Sequence, residues 1–245
     1  MINSKNLSDF YDSEALVIER YASKYFWERR YHRKRMIVLQ RILKDILPQC
    51  ETFLDVGCGT GEYLLFSKHY SHQVFGLDLS KRYLQRSKPH KISGLILGDV
   101  RALPFRDLAF DCTLCSEVIE HVKEQNTSIL ETLRIARKFV LLSTPNQGIL
   151  RIFVSRLAKH LLARIDTRVG HTGILKFPDL IQKFMNEQWK IADAFTIHVF
   201  PPVLDTIHLP KFAAPLIYKL ECFLDRIMPL LGSISIVYLE REGSI

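Results

Sequence analysis

LDVGCGTG, at residues 54–61, places a glycine-rich turn between an apolar run and a helical pattern. Glycines at 57, 59 and 61 permit a tight turn and let a ligand lie against the backbone at the start of a helix. The spacing is GxGxG rather than the GxGxxG of dinucleotide-binding folds, and an acid, Asp55, precedes the first glycine. Because that acid disfavours a pyrophosphate, the turn predicts a ligand with a cationic group.

Short apolar runs alternate with helical patterns on either side of this turn. This rhythm predicts an α/β fold with an open, mostly parallel sheet and helices on both faces. The predicted strands are 52–56, 74–77, 95–97, 110–115, 139–143, 189–199 and 233–239. The predicted helices are 37–46, 60–69, 80–87, 118–136, 149–165 and 178–187.

Composition and charge restrict the class of protein. The 245 residues are 47% hydrophobic and 24% charged, which is typical of a globular chain. The longest uncharged stretch, 227–239, is too short to span a bilayer, and the polar N-terminus lacks a secretory signal, so we expect a cytoplasmic protein. The net charge of +8 is concentrated in residues 20–35 and 146–176. These basic segments suit a phosphate-bearing substrate, RNA or an anionic membrane surface.

Acidic residues stand at the carboxyl ends of three successive predicted strands. Asp55 lies near the end of the first strand, Asp78 closes the second and Asp99 follows the third. Ligands bind at the carboxyl ends of strands in such sheets, where Asp78 is placed to accept ribose hydroxyls and Asp99 an adenine amino group. The alternative for Asp78 is a helix cap for the helix that begins near Ser80.

Together these motifs resemble the class I S-adenosylmethionine-dependent methyltransferases, in particular the small-molecule group that includes ubiquinone-biosynthesis O-methyltransferases. The resemblance implies a single methyltransferase domain with a Rossmann-like, seven-stranded sheet whose last strand is antiparallel. It rests on LDVGCGTG (54–61), GLDLS (76–80), GDVRALPF (98–105), FDCTLCSEVIEHV (110–122) and STPN (143–146).

The resemblance also implies S-adenosylmethionine as the cofactor and assigns its contacts. Asp55 and the glycine turn line the methionine end, Asp78 the ribose, and Asp99 with Val100 the adenine. The implied cofactor-binding residues are Asp55, Gly57, Cys58, Gly59, Gly61, Asp78, Leu79, Asp99, Val100, Ser116 and Glu117.

Methyl transfer from a sulfonium is a direct displacement, so the enzyme chiefly aligns the reactants and excludes water. We expect a small, apolar or phosphate-tagged acceptor with an oxygen nucleophile. His121 and His171 are the candidates to take the proton of an acceptor hydroxyl.

A metal site is a further hypothesis. On a helix after the fourth strand, Glu117, Glu120 and His121 share one face and suit a divalent cation. The pattern resembles the metal-binding helix of small-RNA 3′-terminal 2′-O-methyltransferases and of ubiquinone-pathway O-methyltransferases, where the ion would lower the pKa of an acceptor hydroxyl. The alternative is that Glu117 orders a loop while Glu120 and His121 bond to nearby backbone.

The remaining segments are assigned around a cofactor-binding core at 37–146. Residues 1–36 are predicted to form an N-terminal helical lid, and 147–188 and 201–231 to form insertions on the substrate side. The basic amphipathic pattern at 149–165 suits a lipid-like acceptor, a peripheral membrane contact or packing on its own domain. Two other functions stay open: a metal-assisted RNA 2′-O-methyltransferase, and a catalytically silent subunit that binds the cofactor.

Overall fold

A single sheet organises the chain. The computed structural model describes residues 26–87, 92, 94–146, 173–184, 188–198, 213–228 and 230–243. Within these residues seven strands pair in the order β3-β2-β1-β4-β5-β7-β6. The strands are β1 (Thr52–Val56), β2 (Gln73–Asp78), β3 (Gly94–Leu97), β4 (Phe110–Ser116), β5 (Ala136–Pro145), β6 (Trp189–Ile197) and β7 (Ile234–Arg241).

The direction of the strands agrees with the predicted architecture. The pairs from β3 through β2, β1 and β4 to β5 are all parallel. The last strand, β7, runs antiparallel to both of its neighbours, β5 and β6. The predicted Rossmann-like sheet of seven strands with an antiparallel last strand is therefore confirmed.

Six α-helices and two 3₁₀ turns connect these strands in the described part of the chain. None of these helices is long and apolar enough to cross a membrane. The helices are α1 (Phe26–Ile46), α2 (Glu62–Ser67), α3 (Lys81–Ser87), α4 (Gln125–Ile135), α5 (Phe177–Gln182) and α6 (Ala213–Ile227), and the 3₁₀ turns are Leu47–Gln49 and Ile119–His121.

Two helix predictions need correction. The continuous helix expected over 118–136 is wrong, because Val122 is extended, with φ −108° and ψ 144°, and separates the 3₁₀ turn from α4. Burial explains the break, since Ile119 in the 3₁₀ turn and Val122 at the break both pack into the core. The helix predicted over 37–46 is longer than expected, because α1 spans Phe26–Ile46 in the described part of the chain.

Each face of the sheet carries its own hydrophobic core. Phe53 on β1 packs with Leu39 and Leu43 of α1 on one face. The next residue, Leu54, packs with Ile129 and Leu133 of α4 on the other. Successive strand residues point to opposite faces, so strands covered on both sides consist of continuous apolar runs.

Helix α6 packs against α1 and the end of β6 through charged side chains. The Arg30 guanidinium of α1 lies 2.9 Å from the Glu221 carboxylate, and Lys34 of α1 pairs with Asp225. His198, just after β6, places Nδ1 3.1 Å from the other carboxylate oxygen of Glu221. The described part of the predicted insertion 201–231 thus lies outside the sheet, and residues 199–212 lie outside the described residues.

Asp111 joins the beginnings of β1 and β4. Its Oδ2 accepts hydrogen bonds from the backbone N–H groups of Glu51, at 2.9 Å, and Thr52, at 3.2 Å. Its Oδ1 lies 3.2 Å from the Arg137 guanidinium. A buried carboxylate is stable in such a place because backbone donors and a cation satisfy it together.

We expect Asp111→Ala to lower the free energy of unfolding by about 2–4 kcal/mol, because two backbone donors and a guanidinium lose their acceptor. Urea denaturation measures the change. Asp107→Ala is the matched control, since exposed Asp107 also pairs with an arginine, Arg134, at 2.8 Å. That control should cost less than about 1 kcal/mol. Equal losses in the two variants would contradict the role given to Asp111.

Candidate active site

The glycine turn is built where β1 ends, and its backbone requires glycine. Gly57 has a φ of +75°, and a Cβ atom there would lie 2.2 Å from Cγ2 of Val118. The N–H groups of Gly57 and Cys58 both donate to the carbonyl of Leu77, at 2.7 and 3.0 Å. The turn is therefore held on β2 and packs closely against Val118, two residues after β4.

Beneath the turn lies a carboxylate with an unsatisfied oxygen. Asp55 is 1% exposed, and its Oδ2 has no hydrogen-bond partner in the described part of the chain. Burial raises the pKa of Asp55 well above its usual value, and the nearby acids Glu62 and Asp78 raise it further. A buried acid of this kind is stabilised by a ligand that brings a positive charge.

Asp78 at the end of β2 holds the glycine turn and the loop before α3. Its Oδ1 accepts the N–H of Ser80 at 2.8 Å. The cap considered for Asp78 is Ser80 instead, because the Ser80 Oγ accepts the N–H of Tyr83 at 3.2 Å. Its Oδ2 accepts the N–H of Gly59 at 2.8 Å and so holds the glycine turn. Asp78 thus fixes the glycine turn against the loop that leads to α3.

Asp99, after β3, is held by an arginine. The Arg101 guanidinium approaches its Oδ2 to 2.6 Å, and the same arginine reaches Glu124 at 3.1 Å. Burial raises the pKa of Asp99, but the hydrogen bonds and charge of Arg101 outweigh it and hold the pKa below its usual value. Asp99 is thus an ionised acceptor at the third strand end, beside the buried Val100.

The chain turns sharply after β4. Ser116 shares a 2.9 Å hydrogen bond with Ser143 of β5, and Glu117 adopts a left-handed backbone with φ 57°. The Glu117 carboxylate meets the Arg35 guanidinium of α1 at 2.9 Å, and both side chains are largely buried. Its other oxygen, Oε1, is buried with no hydrogen-bond partner in the described part of the chain.

Arg35 is the functional residue that sequence reasoning missed. It lies in the basic run RRYHRKR at residues 29–35, which the sequence presents as a set of equivalent cations. Only packing shows that Arg33 is exposed whereas Arg35 is 4% exposed. The helical phase set by buried Leu39 and Leu43 was the available signal, because Arg35 precedes them by four and eight residues on the same face.

The three residues considered as metal ligands contact different partners. Glu120 is fully buried, and its Oε2 accepts a hydrogen bond from the Thr144 hydroxyl at 3.1 Å. Burial raises the pKa of Glu120 well above its usual value, and Glu117 adds to the rise. His121 Nε2 lies 3.9 Å from Oε1 of Glu120.

Glu117 lies outside the 3₁₀ turn and pairs with Arg35, so the expected helical face is not formed. Across the described ranges, no group of three or more His, Cys, Asp or Glu side chains is arranged to hold a metal ion. His171, the other predicted proton acceptor, lies outside the described residues, as do the predicted helix 149–165 and most of the predicted lid.

Comparison with known proteins agrees with this geometry. Residues 54–142 match the family model of a methyltransferase domain. A malonyl-[acyl-carrier protein] O-methyltransferase of Erwinia pyrifoliae is 33% identical over 116 residues, which cover 46% of this chain and 44% of that protein. A ubiquinone biosynthesis O-methyltransferase of Alkalilimnicola ehrlichii is 26% identical over 152 residues, covering 56% and 61%. The chain thus spans less than two thirds of the length of these relatives.

Solved structures show the same fold over almost the whole chain. The magnesium protoporphyrin IX methyltransferase of Synechocystis PCC 6803, with bound S-adenosylhomocysteine, aligns with a TM-score of 0.66. The alignment covers 98% of this chain and all of that one at 12% sequence identity. A possible histamine N-methyltransferase of Thermotoga maritima aligns with a TM-score of 0.62 at 13% identity. At such low identity the likeness establishes the fold alone.

We expect Arg35→Gln to lower the free energy of unfolding by about 3–5 kcal/mol, because Glu117 would then keep a largely buried charge without its cation. Chemical denaturation of Arg35→Gln, Glu117→Gln and the double variant forms a cycle, whose coupling should be about 1–3 kcal/mol. The control is Arg41→Gln on the exposed side of α1, which should change stability by less than about 0.5 kcal/mol. Strictly additive losses would show that the pair is not coupled.

Proposed function

Residues 54–142 belong to the class I S-adenosylmethionine-dependent methyltransferases, and on that premise we propose that the whole chain methylates a small, apolar or phosphate-tagged acceptor at oxygen. The observation that carries the proposal is the buried, unpartnered oxygen of Asp55 beneath the glycine turn. The methionine end of the cofactor carries an ammonium group, which would give this carboxylate the positively charged hydrogen-bond donor that it lacks.

The proposed cofactor contacts follow the edge of the sheet. Asp55, Gly57, Cys58, Gly59 and Gly61 take the methionine end. Asp78 and Leu79 take the ribose, and Asp99 and Val100 the adenine. Ser116 and Glu117 close the site beside the methionine end. When bound, S-adenosylmethionine supplies an electrophilic methyl group, and the protein supplies its placement.

The thiol in the turn supports direct displacement. Burial raises the pKa of Cys58 well above its usual value, and Asp55 and Asp78 raise it further. A thiol in this state stays protonated and is a poor nucleophile. Cys58 therefore contributes its backbone to the turn, in keeping with transfer that forms no covalent enzyme intermediate.

Some of the relatives support an oxygen acceptor, because their names describe O-methyltransferases of ubiquinone biosynthesis and of malonyl-[acyl-carrier protein]. Among the described residues His121 is the candidate to receive the acceptor's proton, because its side chain is 12% exposed next to buried Glu120. Histidine suits this role because its ordinary pKa lies closer to neutral pH than that of any other side chain.

The test supplies methyl-labelled S-adenosylmethionine to the purified full chain with a lipid extract, simple phenols and carboxylic acids, or an RNA pool. We expect the label in an organic-soluble ether or ester. Label in RNA would instead support the RNA 2′-O-methyltransferase. Bound cofactor without transfer to any acceptor would support the silent subunit.

Cofactor affinity should rise with pH because of Asp55. Burial and the neighbouring acids raise its pKa in the free protein, and a bound ammonium group lowers it again. Binding therefore releases a proton, and S-adenosylhomocysteine should bind more tightly as pH rises above the usual value of 3.8 toward the raised pKa. Isothermal titration between pH 5 and 8, in buffers of different ionisation enthalpy, measures affinity and proton release.

Asp55→Asn is the companion variant. It should bind S-adenosylhomocysteine at least about tenfold more weakly and without proton release, because the amide neither carries charge nor titrates. The assignment fails if wild type binds with no proton release, or if the variant keeps the wild-type pH dependence.

With an acceptor identified, His121→Ala should lower kcat by about 10²–10⁴-fold and leave S-adenosylhomocysteine affinity unchanged. His69→Ala, at an exposed histidine after α2, is the control and should match wild type. Unchanged kcat in His121→Ala would remove that residue from catalysis. Activity that requires Mn²⁺ and is lost with Glu120→Gln would instead place Glu117, Glu120 and His121 around a cation.

A further inference from the structure

The polar side of helix α6 faces inward, toward α1 and the end of β6. Glu221 is buried between Arg30 and His198, and Asp225 pairs with Lys34. His198 also donates its backbone N–H to Asp225 Oδ2 at 3.2 Å. These two acids are the only acidic residues in Ala213–Ile227, so both negative charges of the helix are neutralised on its inner side.

The opposite side of α6 is an apolar stripe. Leu216, Leu220, Phe223 and Ile227 are spaced at i, i+4, i+7 and i+11, which places them on one face of the helix. They are 71%, 47%, 58% and 51% exposed, respectively. A surface helix usually buries its apolar side and exposes its polar side, and α6 does the reverse. Contiguous exposed apolar surface of this kind indicates an interaction site.

The charges at the edge of the stripe are positive. Lys219 and Arg226 are exposed and lie seven residues, about two helical turns, apart, beside the apolar residues. With Glu221 and Asp225 held inside, α6 presents hydrocarbon and cations to its surroundings. This pairing is characteristic of helices that rest in the headgroup region of anionic membranes.

We propose that the outer face of α6 docks on an anionic lipid bilayer, with the stripe in the acyl boundary and Lys219 and Arg226 at the phosphates. A second copy of the chain fits less well. Two such faces would bring the same cations together with no acid from either helix, and one 15-residue helix is small beside the roughly 1,600 Å² of a stable protein interface. This inference goes beyond the proposed methyl transfer and does not depend on it.

A native thiol allows the contact to be tested in the unaltered chain. Cys222 is exposed on α6, about one helical turn from both Lys219 and Arg226, whereas the other four cysteines are buried. The full chain labelled there with a polarity-sensitive fluorophore should show a blue shift and brighter emission with vesicles of 70% phosphatidylcholine and 30% phosphatidylglycerol. Pure phosphatidylcholine or 0.5 M salt should reduce the response several-fold.

The double variant Leu220→Asp/Phe223→Asp should sediment with the anionic vesicles at least about tenfold less than wild type, because two exposed apolar anchors become anions. Leu130→Asp, at a position on α4 that is 62% exposed, is the matched control and should bind as wild type. Thermal unfolding and S-adenosylhomocysteine affinity check that each variant is folded, and both sites of substitution are already exposed.

Three results would overturn the proposal. The first is folded wild-type protein that ignores anionic vesicles at low salt. The second is equal vesicle binding by the double variant and the Leu130→Asp control. The third is a wild-type dimer that the double variant dissociates, with no vesicle binding by either, which would show that a second copy covers the stripe.

Discussion

A carboxylate buried at the end of β1 is the constraint around which the site is built. Burying the Asp55 charge is costly, and its Oδ2 finds no hydrogen-bond partner within the described residues. The surrounding backbone leaves that oxygen without a donor. Gly57 turns away with positive φ against Val118, and Asp78 uses its own carboxylate to hold Gly59. Under the proposed function, the ammonium group of the cofactor supplies the missing positive charge and offsets the cost of burial.

Helix α1 connects this site to the outer surface of the molecule. Adjacent residues on it face different partners, because Lys34 pairs with Asp225 of α6 while Arg35 pairs with Glu117 beside the glycine turn. Both contacts join largely buried opposite charges, which fix orientation more strictly than apolar packing does. A bilayer against α6 would therefore lie next to the helix whose Arg35 pairs with Glu117. This geometry would suit the apolar acceptor of the proposed function.

The sheet was predictable because its strands are apolar on both faces and end in recognisable turns. The runs at 52–56 and 110–115 became β1 and β4 almost without change, and the late runs supplied the antiparallel pair β6 and β7. The region after β4 was predicted less well. The spacing of apolar residues over 118–136 predicted one continuous helix. Because Ile119 and Val122 are both buried, the chain is instead extended at Val122, before α4. The proposed metal face depended on that helix.

The sequence by itself determined the glycine turn, the acids at three strand ends and the positions of the strands along the chain, since local backbone freedom and hydrophobic periodicity act over few residues. Tertiary structure alone decided which charges meet. Arg35 is one of several cations in its segment, and its role follows from the packing of α1 through Leu39 and Leu43. Likewise, the pattern of α6 shows an apolar and a polar side, but only the ion pairs with Arg30 and Lys34 turn the polar side inward. Contacts between residues nearly 200 positions apart are set by how the helices pack, which local patterns do not specify.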